Sequence, residues 1–150
     1  MEYDEAVDIV SGLFRIEQWE SDEYGERYAV LDREVEIRVF QRDKGILVIQ
    51  AMFGEPIRNA DAANSNEERL RYLLMANFAR IIHNDEILSL DRRTGRPTTT
   101  KCIPLVSISF DFLVDSVESF VRNIDFWNMV LQWKQSSAAV SPLLSFFGKK

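Results

Sequence analysis

The sequence predicts one α+β domain in which a helix, three strands, a second helix, two strands and a third helix follow one another. Three patterns carry this prediction. Apolar residues recur every three or four positions in three long segments, as on one face of a helix. Val35, Ile37 and Val39 alternate with charged residues, as in a half-buried strand. Residues 86–106 have the pattern of two strands joined by a bend at Gly95. We therefore expect a twisted antiparallel sheet with packed helices.

Length and composition limit the possible functions. A chain of 150 residues with 46% apolar residues is large enough to bury one core. Its 18 basic and 24 acidic residues give a net charge of −6, which argues against nucleic-acid binding. The single cysteine, Cys102, excludes an internal disulfide and suits a reducing compartment. The first ten residues lack the basic start of a secretory signal, so we expect a cytoplasmic protein without membrane insertion.

The first half of the sequence predicts one helix and three strands. The helix is predicted from Glu2 to about Trp19, with acidic residues in the first turn that oppose the helix dipole. The strands are predicted at Arg27–Leu31, Val35–Gln41 and Ile46–Phe53, with short polar turns between them. The third strand is apolar on both faces. It is therefore either covered on both faces or leaves one face for a partner.

The second half predicts a helix, a hairpin and a longer helix. Ser65 and Glu68 have the spacing of a capping box, and a helix from Glu67 to about His83 follows. The later elements are strands at Glu86–Asp91 and Thr98–Val106 and a helix at Phe110–Lys134. Apolar residues off the main seam of the last helix, Phe126, Val130 and Trp133, suggest burial by a partner subunit or by the tail. The expected organisation is a domain over residues 1–134 and an apolar tail over 135–150.

The sequence offers little for catalysis. His83 is the only histidine, and at a helix end it is expected to cap carbonyl groups. Cys102 lies within a predicted strand, where we expect a small buried apolar side chain. Carboxylates occur in solvated runs, and no glycine-rich phosphate loop is present. We therefore expect no catalytic residues, no metal and no cofactor. A small enzyme that uses Cys102 or His83 stays open as an alternative.

The order of elements and two short strings resemble the class I chaperones of bacterial type III secretion, which have the Tir-chaperone fold. The strings are Leu-Leu-x-Ala-Asn-Phe at Leu73–Phe78 and Leu-x-Leu-Asp at Leu88–Asp91. Ile103-Pro104-Leu105 after the hairpin and the apolar seam Leu113–Trp127 add to the resemblance. It covers about Val7 to Leu131, and the apolar tail differs from the family pattern.

The resemblance implies a cytosolic homodimer of a Gram-negative bacterium. Such a protein binds the N-terminal segment of one or more secreted effectors, keeps that segment non-globular and delivers it to the secretion apparatus, including the secretion ATPase. Carried onto this sequence, the effector-binding residues are Leu13, Phe14, Ile37, Val39, Val48 and Met52. The corresponding dimer-interface residues are Leu70, Leu74, Phe78, Ile81, Ile103 and Leu105. A dimeric adaptor or regulatory module that recognises a folded partner is the alternative within the binding class.

Overall fold

The computed structural model describes residues 1–31, 34–54, 56, 63–81 and 86–133. The helices are α1 (Tyr3–Phe14), α2 (Ala63–Ile81) and α3 (Phe110–Trp133). The strands are β1 (Glu20–Ser21), β2 (Arg27–Leu31), β3 (Val35–Arg42), β4 (Ile46–Phe53), β5 (Leu88–Leu90) and β6 (Pro97–Pro104). The predicted α+β class and the order of the long elements are confirmed. The tail and His83 lie outside the described residues.

The described strands form one antiparallel sheet in the order β1-β2-β3-β4-β6-β5. The β3–β4 hairpin turns at Asp43 and Gly45, both of which have positive φ. The β5–β6 hairpin bends at Gly95, as predicted, with φ of 70°. β6 lies between β4 and the edge strand β5, so the second hairpin continues the sheet that the first strands form.

The core lies between one face of the sheet and the three helices. Alternate residues of β3 and β4, among them Ile37, Val39, Leu47 and Ile49, are buried in the same cluster as side chains of the helices. Trp127 and other residues of the predicted α3 seam fill this core. We call this the helix face of the sheet and the opposite side the outer face. β4 is buried on both faces, so of the two predicted alternatives for this strand the structure shows the first, a strand that is covered on both faces.

The first helix is shorter than predicted. It ends at Phe14 because Arg15 takes a left-handed conformation, with φ of 57° and ψ of 40°. The backbone N–H groups of Arg15 and Ile16 then donate to the carbonyl oxygens of Gly12 and Ser11. The Trp19 indole N–H donates to Ser11 Oγ at 2.7 Å, which folds the following segment back against α1. Periodicity alone therefore misplaced the C-terminus of this helix.

Several further boundaries differ from the sequence prediction. α2 begins at Ala63, so Ser65 lies inside the helix and does not cap it as predicted. Residues 20–21 form a short edge strand that the sequence did not predict. β5 and β6 are each shorter than predicted and end at Leu90 and Pro104. In the part of the chain that the structure describes, no helix combines the length and apolar character that crossing a bilayer requires.

Substitution of Arg15 by glycine is expected to stabilise the protein. A side chain in the left-handed region costs about 1–2 kcal/mol relative to glycine, part of which is offset by the larger entropy of glycine in the unfolded chain. We expect Arg15→Gly to raise the free energy of unfolding by about 0.5–1 kcal/mol, measured by denaturant titration. Arg15→Ala keeps the unfavourable Cβ and serves as the control. A glycine variant no more stable than the alanine variant would contradict the assigned cap.

Candidate partner-binding site

Most of the side chains predicted to bind an effector are buried within the chain itself. Ile37 and Val39 lie on the helix face of β3 and are fully buried, and Phe14 is buried beside them in the core cluster. Val48 and Met52 lie on the outer face of β4 and are also buried. Leu13 is half-buried at the margin of the core. The structure thus divides the predicted set between two faces of the sheet.

A network of charged side chains crosses the outer face near Met52. Arg38 of β3 donates to Glu36 at 2.6 Å and lies 3.3 Å from Asp22 and 3.4 Å from Glu26. Arg96 donates to Glu36 at 3.0 Å. Arg96 also donates to the carbonyl oxygens of Gly54 and Met52. The network therefore joins the β1–β2 turn, β3, the end of β4 and the β5–β6 turn.

The charged groups of this network have hydrogen-bonding and ionic partners within the chain. Partial burial alone would lower the pKa of Arg38, but the hydrogen bond to Glu36 and the nearby Glu26 and Asp22 raise it above its ordinary value. Asp22 is itself held by the backbone N–H groups of Tyr24 and Glu26, at 2.9 and 3.0 Å. Since paired and hydrogen-bonded charges are costly to strip from one another, this part of the outer face is poorly suited to an apolar client.

An accessible backbone edge lies at the other side of the sheet, on β2. β1 pairs only with Arg27 and Tyr28, and among the described residues Ala29–Leu31 have no strand partner on that edge. Val30 projects on the outer face with 59% of its surface exposed. We call Ala29–Leu31 the β2 edge. An unpaired strand edge is a template for an added strand of another polypeptide.

Side chains of α1 border this part of the fold. Arg27 of β2 forms an ion pair with Asp4 of α1 at 2.7 Å and lies over the ring of Tyr3. Ile9 and Leu13 of α1 and Ile16 after it are partly exposed while packing against the core. The first helix thus has an available apolar surface, to which Leu13 contributes.

The predicted dimer residues divide in the same way. Leu74 and Phe78 on α2 are 68% and 74% exposed, whereas Ile103 and Leu105 are buried in the core of the chain. Leu70 is half-buried against the core, and the side chain of Ile81 lies outside the described residues. Ile103 and Leu105 therefore pack internally in this structure. Leu74 and Phe78, one helical turn apart, remain available to a partner.

Asn77 joins α2 to the edge strand β5. Its side-chain Nδ2 donates to the carbonyl oxygen of Leu88 at 2.5 Å, and its Oδ1 accepts from the Leu88 N–H at 2.8 Å. The Asn77 amide thus makes the two hydrogen bonds with the Leu88 backbone that a strand paired with this edge of β5 would make. The sequence presents Asn77 within the Leu73–Phe78 string, which does not predict its contact with β5. Large apolar side chains are exposed on α2, on β5 and just before β5. We call them the α2–β5 patch, which consists of Leu74, Met75, Phe78, Ile87 and Leu90.

Arg80 joins α2 to α3. Its Nη2 donates to Asn123 Oδ1 at 2.9 Å, and its guanidinium lies over the Phe126 ring at 4.0 Å from the centroid. Burial lowers the pKa of Arg80, an effect that the charge of Glu86 partly opposes. Phe126, predicted to meet a partner subunit or the tail, is thus covered on one side by α2. Val130 is buried within the chain.

A second unpaired edge and an open groove lie along β6. β5 pairs only with Pro97–Thr99, and no described strand pairs with Thr100–Pro104 on the same edge. This edge and the first turns of α3 enclose a groove of about 610 Å³, lined by Glu86, Thr100, Lys101, Cys102, Ile103, Pro104, Phe112, Asp115, Ser116 and Ser119. We call it the β6 groove. At its inner wall, Lys101 pairs with the buried Glu86.

The expectation that Cys102 is buried is wrong. Its neighbour Ile103 faces the core, so the alternation of the strand turns Cys102 away from it, and the side chain is exposed. Among the residues that the structure describes, no three His, Cys, Asp or Glu side chains are grouped as metal ligands. Cys102 thus stands in the β6 groove beside hydroxyl and apolar groups.

Three solved structures resemble this chain. A chain of the HopA1–SchA chaperone–effector complex matches 81% of this chain and 91% of its own length, with a TM-score of 0.50 and 15% identity. A chain of the ExsC–ExsE complex matches 85% and 94%, with a TM-score of 0.56 and 17% identity. The Yersinia pestis type III secretion chaperone SycH with a YscM2 fragment matches 81% and 96%, with a TM-score of 0.47 and 13% identity.

Neither a protein-family model nor a curated protein matches the sequence. The structural likeness shows that this chain has the fold of the class I type III secretion chaperones, as the sequence resemblance predicted. The likeness to the ExsC–ExsE chain covers 85% of this chain and therefore includes most of the described helices and strands.

Asn77 is expected to hold α2 against β5. In Asn77→Leu the N–H and C=O groups of Leu88 lose their partners, which we expect to cost about 2 kcal/mol of unfolding free energy. Hydrogen exchange at the Leu88 amide should accelerate as well. Met75→Leu, an exposed apolar exchange two residues away, is the control and should change neither quantity. Unaltered protection of Leu88 in the leucine variant would show that the side-chain bonds do not support β5.

Proposed function

We propose that this chain is a cytosolic type III secretion chaperone that acts as a homodimer on one or more effectors. It binds an N-terminal effector segment, keeps it non-globular and secretion-competent, and delivers it to the secretion apparatus, where the secretion ATPase is the proposed receiver. The observation that carries the proposal is the likeness of most of the fold to a chain of a chaperone–effector complex. The proposed action is binding, so it requires no covalent chemistry and no cofactor.

The β2 edge supports the proposed binding of an extended client. Ala29–Leu31 offer backbone hydrogen bonds on one side, and the exposed Val30 offers an apolar contact. Main-chain hydrogen bonds provide affinity for almost any extended segment, whereas side-chain contacts provide selectivity. The half-buried Leu13 and its neighbours on α1 supply further apolar contacts. Of the predicted effector-binding residues, Leu13 is the one that the structure leaves accessible, so the β2 edge and α1 replace the buried members in this proposal.

The α2–β5 patch supports the proposed dimer. Leu74 and Phe78 are strongly exposed large apolar side chains on one face of α2. Exposed apolar residues grouped on neighbouring elements are typical of protein interfaces. The polar bond between Asn77 and Leu88 fixes the two elements relative to each other, so a second copy would meet a preformed surface. Two copies related by a two-fold axis would each contribute the same patch.

Phe78→Asp is expected to dissociate the dimer. The Phe78 side chain is 74% exposed within one chain, so the change should leave the monomer folded. In a dimer the same carboxylate would be buried without a partner, at a cost of several kcal/mol. Sedimentation at equal concentrations should show dimer for the parent protein and monomer for the variant. Met129→Asp, at an exposed apolar position of α3, is the control; dissociation of both variants, or of neither, would contradict the assigned interface.

Val30→Lys is expected to weaken capture of the client segment. The side chain of Val30 is 59% exposed, so the substitution should leave the fold intact. The probe is the N-terminal segment of a secreted protein encoded beside the gene of this chain, fused to an unrelated carrier. We expect its dissociation constant to rise about tenfold or more, equivalent to at least about 1.4 kcal/mol.

Val30→Thr keeps the shape of the side chain and is the matched control for this experiment. Capture of the segment with parent affinity by Val30→Lys would place the client elsewhere on the chain. A parent protein that retains only the folded effector and never its unfolded first segment would instead identify an adaptor. Both results are measured by titrating the protein with the isolated segment and with the intact effector and comparing the two dissociation constants.

A further inference from the structure

We propose that Ser11 and Trp19 are positioning residues that hold the β2 edge open for an added strand. Without them, the chain just before β1 pairs with this edge and closes it. All of these residues lie in the stretch 1–31, which the structure describes without a gap. The two residues thus govern access to the client site assigned above, and in this respect the inference rests on the proposed function. Its first test uses the protein without a client and is therefore independent of that function.

The register of β1 shows which residue would close the β2 edge. In the antiparallel pair of β1 and β2, Glu20 lies opposite Tyr28. Continuing this register two residues back along the chain places Gln18 opposite Val30. Because β1 is already paired with β2, this extension requires no new loop to be closed. Gln18 is therefore the nearest competitor of any client strand at Val30.

The hydrogen-bonding phase of the ladder favours the same pair. Opposite residues of an antiparallel pair exchange backbone hydrogen bonds at every second position. Next to β1, the Asp22 N–H donates to the carbonyl oxygen of Glu26 at 3.0 Å, so these two residues occupy a bonded position. Gln18 and Val30 lie four residues further along the two chains and belong to the same bonded set. The N–H and C=O groups of Val30 therefore point to the open edge, and pairing with Gln18 alone closes it.

The chain does not make this pair because it is fastened to α1 on both sides of Gln18. Before it, the Ile16 N–H donates to the carbonyl oxygen of Ser11 at 2.9 Å. After it, the Trp19 indole N–H donates to Ser11 Oγ at 2.7 Å, a bond that we call the Ser11–Trp19 clip. Ile16 and Trp19 are partly buried against the core, whereas Glu17 and Gln18 between them are exposed. The exposed pair is thus held away from β2 by its two neighbours.

The Ser11 hydroxyl is oriented to accept from Trp19. Its own proton is donated to the carbonyl oxygen of Val7, one helical turn earlier, at 2.7 Å. The lone pairs of Oγ are then available for the indole N–H. Because Trp19 directly precedes β1, the position of its ring determines where the backbone leaves the line of the β2 edge. The clip therefore sets the path of the segment that contains Gln18.

Removal of the clip should protect the Val30 amide from hydrogen exchange. Trp19→Phe keeps an aromatic ring and loses the N–H donor, whereas Ser11→Ala loses the acceptor. In each variant we expect the Val30 amide to exchange about tenfold more slowly than in the parent protein, because the closed edge shields it. Ser11→Thr keeps a hydroxyl group, so it is the matched control and should retain the parent rate. General loosening of the fold accelerates exchange, so lost stability does not produce this protection.

Unchanged or faster exchange of the Val30 amide in either clip variant would overturn the proposal. Slow exchange of amides in the β3–β4 hairpin verifies in the same spectra that each variant is folded. Gln18→Pro added to Ser11→Ala identifies the occupant of the edge, because proline has no N–H to donate to the Val30 carbonyl oxygen. The double variant should exchange at the parent rate. Protection that persists in it would show that another segment covers the edge, and would also overturn the proposal.

A client titration separates this inference from the proposed function. If the edge of a clip variant is closed for about nine-tenths of the time, the dissociation constant of the client segment rises about tenfold, because only the open fraction binds. The probe is the carrier-fused effector segment that tests Val30→Lys. Weaker capture together with a protected Val30 amide supports both assignments. A protected Val30 amide with unchanged capture supports the clip and contradicts the assignment of the client to the β2 edge.

Discussion

The need to cover both faces of β4 governs this fold. The strand carries large apolar side chains on its two sides, and it lies between β3 and β6 near the centre of the sheet. The three helices cover one side with Trp127, Phe120 and other core residues. On the other side, Met52 lies beside Asp22, Arg38 and Arg93. A shift of one residue in the pairing of β4 would exchange these faces, so the register of the whole sheet is strongly specified.

This central burial decides where binding surfaces remain. Because the sheet interior is sealed, the unpaired backbone at Ala29–Leu31 and Thr100–Pro104 lies towards the sides of the sheet. Because α2 is held to β5 through Asn77, its exposed residues Leu74 and Phe78 stand on a fixed base. The proposed client and the proposed second copy therefore contact separate parts of one small molecule.

The sequence predicted the strands and the fold well because the relevant signals are local. β2 and β4 have the predicted bounds, since turn residues flank runs of apolar and alternating residues. α1 was predicted too long because Ile16 and Trp19 continue an apolar pattern that Arg15 interrupts through backbone conformation rather than composition. β1 was missed because a two-residue strand has no pattern and exists only through its pairing with β2.

The binding residues were harder to predict because an apolar pattern marks core and interface alike. The same apolar patterns and the same resemblance selected residues with opposite exposure. In the structure, Leu74 and Phe78 are exposed, whereas the buried residues are Ile37, Val39, Ile103 and Leu105. Their exposure depends on which elements pack together, and unpaired edges depend on strand order, both of which are non-local. Asn77 left a usable signal, since a polar residue on the flank of an apolar helix face requires a hydrogen-bonding partner.

Two open edges in one sheet also bear on aggregation. Copies of the isolated chain present backbone that would accept strands from one another, the route by which sheets grow into ribbons. The β2 edge is short, and β6 ends at Pro104, which has no N–H to donate, so each template for such growth is brief. The shortness of these unpaired strand edges thus limits this route to aggregation.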